Sequence, residues 1–173
     1  MATAIQIPLE QYLETSYRPD REYLDGDVVE RNVGKWEHAR VQALLTSMFV
    51  AYESELNVYA ATEWRSRVSA TRVRIPDIVL VEAGPQPDVL ERPPLLVVEI
   101  LSPDDTYADT VARAADYRHM GVHTIWIVDP QSRTGRVCVD DVWRGASVLE
   151  VPGTPIRVDL ARLFARLDGI SSL

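Results

Sequence analysis

The chain has 173 residues, 46% of them hydrophobic, and a formal charge of −8. This fits a soluble globular protein with one core, and the lack of any apolar stretch of membrane-spanning length excludes a transmembrane helix. The acidic excess opposes phosphate neutralisation, the main source of non-specific nucleic-acid affinity, and a single cysteine, Cys138, excludes an intrachain disulfide framework and fits a reducing cytoplasm.

Met1–Gln6 has no basic segment followed by an apolar core, so no signal peptide is expected. Pro8 opens a short helix to Glu14. Asp25-Gly26, between β-favouring residues from Arg21 to Arg31, predicts a hairpin. From about Lys35 to Leu56, Val41, Leu44, Leu45, Met48, Phe49 and Tyr52 recur at steps of three and four, the pattern of an amphipathic helix. Val58 to Val68 reads as one or two strands and Ile75 to Val81 as another. Arg65, Arg67, Arg72 and Arg74 crowd the stretch before Asp77, as either a basic sheet face or an ordinary solvated one.

Ala83 to Pro94, rich in Pro and Gly, is a surface loop. A strand around Glu99 follows, then a helix from about Asp104 to Met120 that Gly121 stops. Thr124 to Val128 is a buried strand ending at Asp129-Pro130. Arg136 to Val142 and Ala146 to Val151 read as a hairpin about Arg144-Gly145, and a helix over Leu160 to Leu167 closes the chain. With no repeat or linker, one domain over residues 1–173 is expected. The order of elements gives a mixed sheet covered by helices, an α/β or α+β fold, with a right-handed parallel crossover between the Glu99 and Trp126 strands.

Chemistry enters at two carboxylates. Asp77 lies in Ile75-Pro76-Asp77-Ile78-Val79, and Glu99 in Leu96-Val97-Val98-Glu99-Ile100-Leu101-Ser102-Pro103. An ion within such apolar runs is costly to bury. Two of them on strands that pair imply a shared cation, most simply Mg²⁺ or Mn²⁺ bound through oxygen, with the Ile100 carbonyl and waters completing the shell. His38, His119 and His123 are too few and too scattered for a zinc site of the usual kind.

These residues carry a resemblance. Glu10-Gln11-Tyr12-Leu13, Glu22-Tyr23-Leu24-Asp25-Gly26-Asp27, the His38 helix and Ile75-Pro76-Asp77 come first. Val98-Glu99-Ile100-Leu101-Ser102-Pro103, Asp109, Tyr117, Gly121-Val122 and Trp126-Ile127-Val128-Asp129-Pro130 follow in order. The set resembles the Uma2 group of bacterial endonucleases, also called DUF820, within the PD-(D/E)XK restriction-endonuclease-like superfamily. The resemblance implies a restriction-endonuclease-like mixed sheet flanked by helices, a DNA substrate, and a phosphodiesterase site in which Asp77 and Glu99 bind the metal.

In the wider superfamily a lysine follows the Glu by two positions, where this chain has Leu101. In the resembled family the lysine stands on the next helix, one turn after an Asp. Here the Asp is Asp109 and the lysine position is Arg113. Arginine stays protonated and cannot be a general base, so Arg113 is expected to hold phosphate or stabilise developing charge, with Tyr117 on the same helical face. The plainer alternative is an Asp109–Arg113 surface pair.

Glu22 matches a family acidic position and is either a metal or water contact or a solvated charge. His38 is a candidate for positioning water or phosphate. Glu63 and Glu82 are read as exposed, Ser102 as a turn or helix N-cap, Trp126 as core, and Trp64 and Trp143 as possible stacking surfaces. A nuclease-fold module that binds or assembles without efficient chemistry is the rival reading. An enzyme acting on a smaller nucleotide is a third, with no phosphate loop behind it. Cleaving both strands of a duplex needs two sites, which a homodimer would supply.

Overall fold

The computed structural model describes residues 6–32 and 34–169. Met1–Ile5, most of the stretch examined for a targeting signal, lies outside them, and no helix among the described residues is long and apolar enough to cross a membrane. Pro8 leads into α1 (Leu9–Glu14). Asp25 and Gly26, at φ of 54° and 105°, make the two-residue turn between β1 (Arg21–Leu24) and β2 (Asp27–Glu30). Both positions at positive φ match the twist of a tight hairpin, hence the Asp-Gly pair.

The helix expected from Lys35 to Leu56 divides into α2 (Trp36–Val50) and α3 (Glu53–Leu56). Asn57 at φ 52° turns the chain out of α3 into β3 (Val58–Thr62), followed by β4 (Ser66–Ser69) and β5 (Arg72–Arg74). The strand expected from Ile75 starts later, as β6 (Ile78–Glu82), because Pro76 cannot donate to a ladder. The loop then leads to β7 (Leu96–Ile100) and α4 (Tyr107–Met120). Thr106, not Ser102, caps α4, and Gly121 at φ 103° ends it.

β8 (Thr124–Asp129), β9 (Thr134–Val139) and β10 (Val142–Gly145) follow. The hairpin expected about Arg144-Gly145 turns instead at Asp140-Asp141, which sit at φ 46° and 70°. Asp tolerates left-handed backbone better than most residues, so two in a row serve where no Asn-Gly stands. β11 (Val148–Glu150) pairs with β12 (Arg157–Asp159), and α5 (Leu160–Leu167) has the expected bounds.

The main sheet runs β10-β9-β8-β7-β6-β3, and a four-stranded sheet runs β2-β1-β5-β4. In the main sheet only β7 and β8 pair in parallel, joined through α4; this is the crossover the sequence implied. Alternation assigns the faces. Ile78, Leu80, Val98, Ile100 and Trp126 join α2 and α5 in one core. Val79, Val81, Val97 and Ile125 join Ala114 and Tyr117 of α4 in another. Each such side chain fully buried stabilises by roughly 1.5–3 kcal/mol, so the β6–β7 register is firmly fixed from both sides.

Candidate active site

β6 and β7 are antiparallel with Ile78 opposite Val98 and Val79 opposite Val97. One further step sets Asp77 opposite Glu99, and alternation puts both on the α4 face. Each is only 3% exposed. Two carboxylates held this close and this dry need counter-charge, and two arginines from different parts of the chain provide it.

Arg31, just after β2, brings Nη2 to 3.0 Å from Asp77 Oδ1. His38 Nε2, from the first turns of α2, lies 3.2 Å from Oδ2, and the Ile100 N–H donates to that same oxygen at 2.7 Å. On the other carboxylate, the Tyr117 hydroxyl donates to Glu99 Oε1 at 2.5 Å, and Arg113 Nε is 3.4 Å from Oε2. Arg113 Nη2 also donates to Asp105 Oδ1 at 2.8 Å. Asn32 donates to that oxygen at 3.0 Å, and Ser102 N–H to Oδ2 at 2.7 Å.

Burial pushes Glu99 up to about 7 despite the pull of Arg113, with the charge of Asp77 adding to the rise. Burial pulls His38 down, but its hydrogen bond and attraction to Asp77 outweigh that and leave it raised. Burial beside Glu99 holds the Tyr117 phenol well above its ordinary value, so it acts here as a hydrogen-bond donor. The Nε of Arg113 is buried without a hydrogen bond of good geometry, so its contact with Glu99 is one of charge.

The donor set suits a hard divalent cation. Leu101 N–H donates to Val128 of β8, so the intervening even-numbered residues of β7 direct their ladder bonds towards β6. The residue that would face Ile100 in this register is Pro76, which has no N–H. The Ile100 carbonyl therefore loses its ladder donor while the Ile100 N–H turns to Asp77. Two carboxylates and one such carbonyl match the few protein oxygens that Mg²⁺ takes alongside retained waters. Among the described residues, no three side chains of His, Cys, Asp or Glu gather as a metal site, so a bound ion would rest on Asp77, Glu99 and backbone.

The other expected residues separate. Arg113 and Tyr117 reach Glu99, but Asp109, on the same helical face, is exposed at the start of α4. There it accepts from Thr106 N–H and Oγ1 in a capping box. The Asp109–Arg113 surface pair does not form, because Arg113 is turned inward to Glu99 and Asp105. Glu22 is buried with both oxygens committed, one to Arg74 at 2.6 Å and one to the Ile75 N–H at 3.1 Å. It ties the hairpin to the Ile75-Pro76 segment. Glu63 and Glu82 are exposed and Trp126 is fully buried.

The basic-face reading gives way. Arg65 pairs with Asp20, Arg67 with Glu91, Arg72 with Asp25 and Asp116, and Arg74 with Glu22 and Asp116. Sequence reasoning missed Arg31, Asp105 and Asp116. The one local signal for Asp105 is its place one residue before the α4 cap. Arg31, Arg74, Arg113, Asp105 and Glu22 contribute to the lining of a cleft of about 460 Å³.

The chain matches the Uma2 family model, described as "Putative restriction endonuclease", over residues 9–165. A crystal structure from Anabaena variabilis ATCC 29413, of "a putative nuclease belonging to DUF820", superposes with a TM-score of 0.83. The two are 20% identical over 93% of this chain and 99% of that one, and at this identity the likeness shows the fold. The cryo-electron microscopy structure of a DrdV–DNA complex aligns at a TM-score of 0.47 and 15% identity, over 80% of this chain and 12% of that one, too slight to bear on this chain. No curated protein matches the chain.

Proposed function

The chain belongs to the Uma2 family, and from that premise we propose that it is a divalent-metal-dependent DNA endonuclease that hydrolyses phosphodiester bonds at Asp77 and Glu99. One observation supports the reading above the rest. The two carboxylates face each other where Pro76 interrupts the β6–β7 ladder, with a permanently charged arginine against each.

In this reading Asp77, Glu99 and the Ile100 carbonyl hold Mg²⁺ or Mn²⁺. Such an ion lowers the pKa of a bound water and offsets charge on the phosphoryl group. Tyr117 fixes the rotamer of Glu99 by donating to one of its oxygens, and Asp105 fixes Arg113. Arg113 cannot take a proton from water, so it serves as the electrostatic group that clamps phosphate and stabilises charge developing there. His38, polarised by Asp77, positions water or phosphate from α2. Arg31 balances Asp77 in the resting protein and is a second phosphate contact. Glu22 and Asp109 support from behind, the first by anchoring the hairpin and the second by capping α4.

The test is nicking of supercoiled plasmid and of single-stranded DNA with Mg²⁺ or Mn²⁺ at low salt. Metal-dependent cleavage by the wild type, lost in both Asp77→Ala and Glu99→Ala, is expected. A folded wild type that cleaves neither substrate overturns the proposal. Leu101, at the position where the wider superfamily places lysine, favours a second reading, a binding or assembly module without efficient chemistry. Cleavage by Arg113→Lys but not by the wild type would select it.

A further inference from the structure

We propose that a slot beside the carboxylates receives an unpaired nucleobase of a single-stranded nucleic acid, which stacks on Trp36; this rests on the nuclease reading. Trp36 opens α2 and is 72% exposed, the most exposed large hydrophobic side chain among the described residues. An indole left open to water at a helix start gains nothing for the core. A flat, polarisable face of this kind is what a stacked base uses.

The surroundings of Trp36 form a cavity of about 290 Å³ whose lining includes Leu101, Pro103, Pro130, His38 and Lys35. Three of these are apolar walls of little flexibility. His38 joins the slot to the site, since its Nε2 is 3.2 Å from Asp77. The backbone of the slot is pressed against that histidine. A Cβ at Gly34 would lie 2.5 Å from His38 Nδ1, so only glycine lets the chain pass and carry Lys35 and Trp36 to the rim. Lys35 is the only lysine of the chain. It is exposed and makes no ion pair with the described residues, which leaves its ammonium for a backbone phosphate.

Leu101 acquires a reason in this arrangement. As a wall it presents methyl groups to a base, where a charged side chain would need water. A base paired within a duplex keeps both faces stacked and its edge occupied, and cannot enter a slot of this size. An unpaired one can, and every base has a face to stack, so the slot selects strand state and not sequence.

The experiment is fluorescence anisotropy of a labelled short oligothymidylate and of its duplex, at low salt in Ca²⁺, with wild type, Trp36→Ala and Trp36→Phe. A second oligonucleotide carries 2-aminopurine. The single strand should bind more tightly than the duplex. Trp36→Ala should weaken it by roughly 5- to 150-fold, the range of one base–aromatic stack, and Trp36→Phe should restore most of that. Quenching of 2-aminopurine should occur with wild type and fail with Trp36→Ala. Because Trp36 is exposed, its truncation leaves the core intact, which a melting curve verifies.

Equal binding by wild type and Trp36→Ala, a duplex bound as tightly as the strand, or no binding of either would overturn the slot. The two proposals separate cleanly. Plasmid cleavage together with single-strand binding that does not depend on Trp36 removes the slot and keeps the nuclease, and Trp36-dependent single-strand binding without cleavage does the reverse.

Discussion

Two clusters of buried charge lie close together in this protein and differ in how they are satisfied. In one, Glu22, Arg74, Asp116 and Arg72 form a chain of contacts between 2.6 and 3.0 Å that links the hairpin, β5 and α4. In the other, Asp77 and Glu99 face each other. Their arginines come from elsewhere, Glu99 is pushed towards neutrality, and Arg113 Nε is buried without a good acceptor. The first cluster is closed and structural. The second resembles a place kept for a cation that side chains only partly replace.

The largest effect should come from breaking the closed cluster. Arg74→Met leaves Glu22 buried without its ion-pair partner and Asp116 with Arg72 alone, and should cost about 3–5 kcal/mol in chemical denaturation; a loss below about 1 kcal/mol would erase the contrast. The opposite sign is expected at the open cluster. Glu99 has a folded pKa of about 7, above its value in the unfolded chain. The native state therefore holds the extra proton between about pH 4.5 and 7. Its contribution to stability is fully present below that window and lost as pH rises through it. Glu99→Gln should flatten this fall and, in EDTA at pH 8, be more stable than wild type by on the order of 1–3 kcal/mol. Parallel pH profiles of the two proteins would contradict the assignment.

Smaller effects sharpen the same contrast. Asp109→Ala removes a first-turn carboxylate from α4 and should cost about 0.3–1 kcal/mol, with cleavage per folded molecule unchanged. A loss of turnover there would return Asp109 to the site. Arg31→Gln removes the cation nearest Asp77 and should tighten Mn²⁺ binding several-fold in calorimetry, and weaker binding would show that Arg31 assists the ion.

What was legible in the sequence had local causes. Asp25-Gly26 demands positive φ at both positions, the apolar spacing of α5 fixes its ends, and Pro76-Asp77 marks the carboxylate proposed as a ligand. Asp77 and Glu99 stood out because charge within Val and Ile runs is anomalous in any fold. The illegible parts depend on distance. Arg72 and Arg74 alternate like a basic face, yet their common partner Asp116 lies 44 and 42 residues away. Arg31 is 46 residues from Asp77, and no periodicity brings a loop arginine to a strand start. The Asp140-Asp141 turn was passed over because Arg144-Gly145 carries the stronger local signal, though the register places the hairpin elsewhere.

The measurement that bears most directly on the open cluster is titration of Mn²⁺ into the metal-free protein, followed by calorimetry and by electron paramagnetic resonance. One ion bound per chain, lost in Asp77→Ala and in Glu99→Ala while both variants remain folded, is the predicted result. No bound ion, or one that survives both substitutions, would mean that the two carboxylates are an internal charge network like their neighbour.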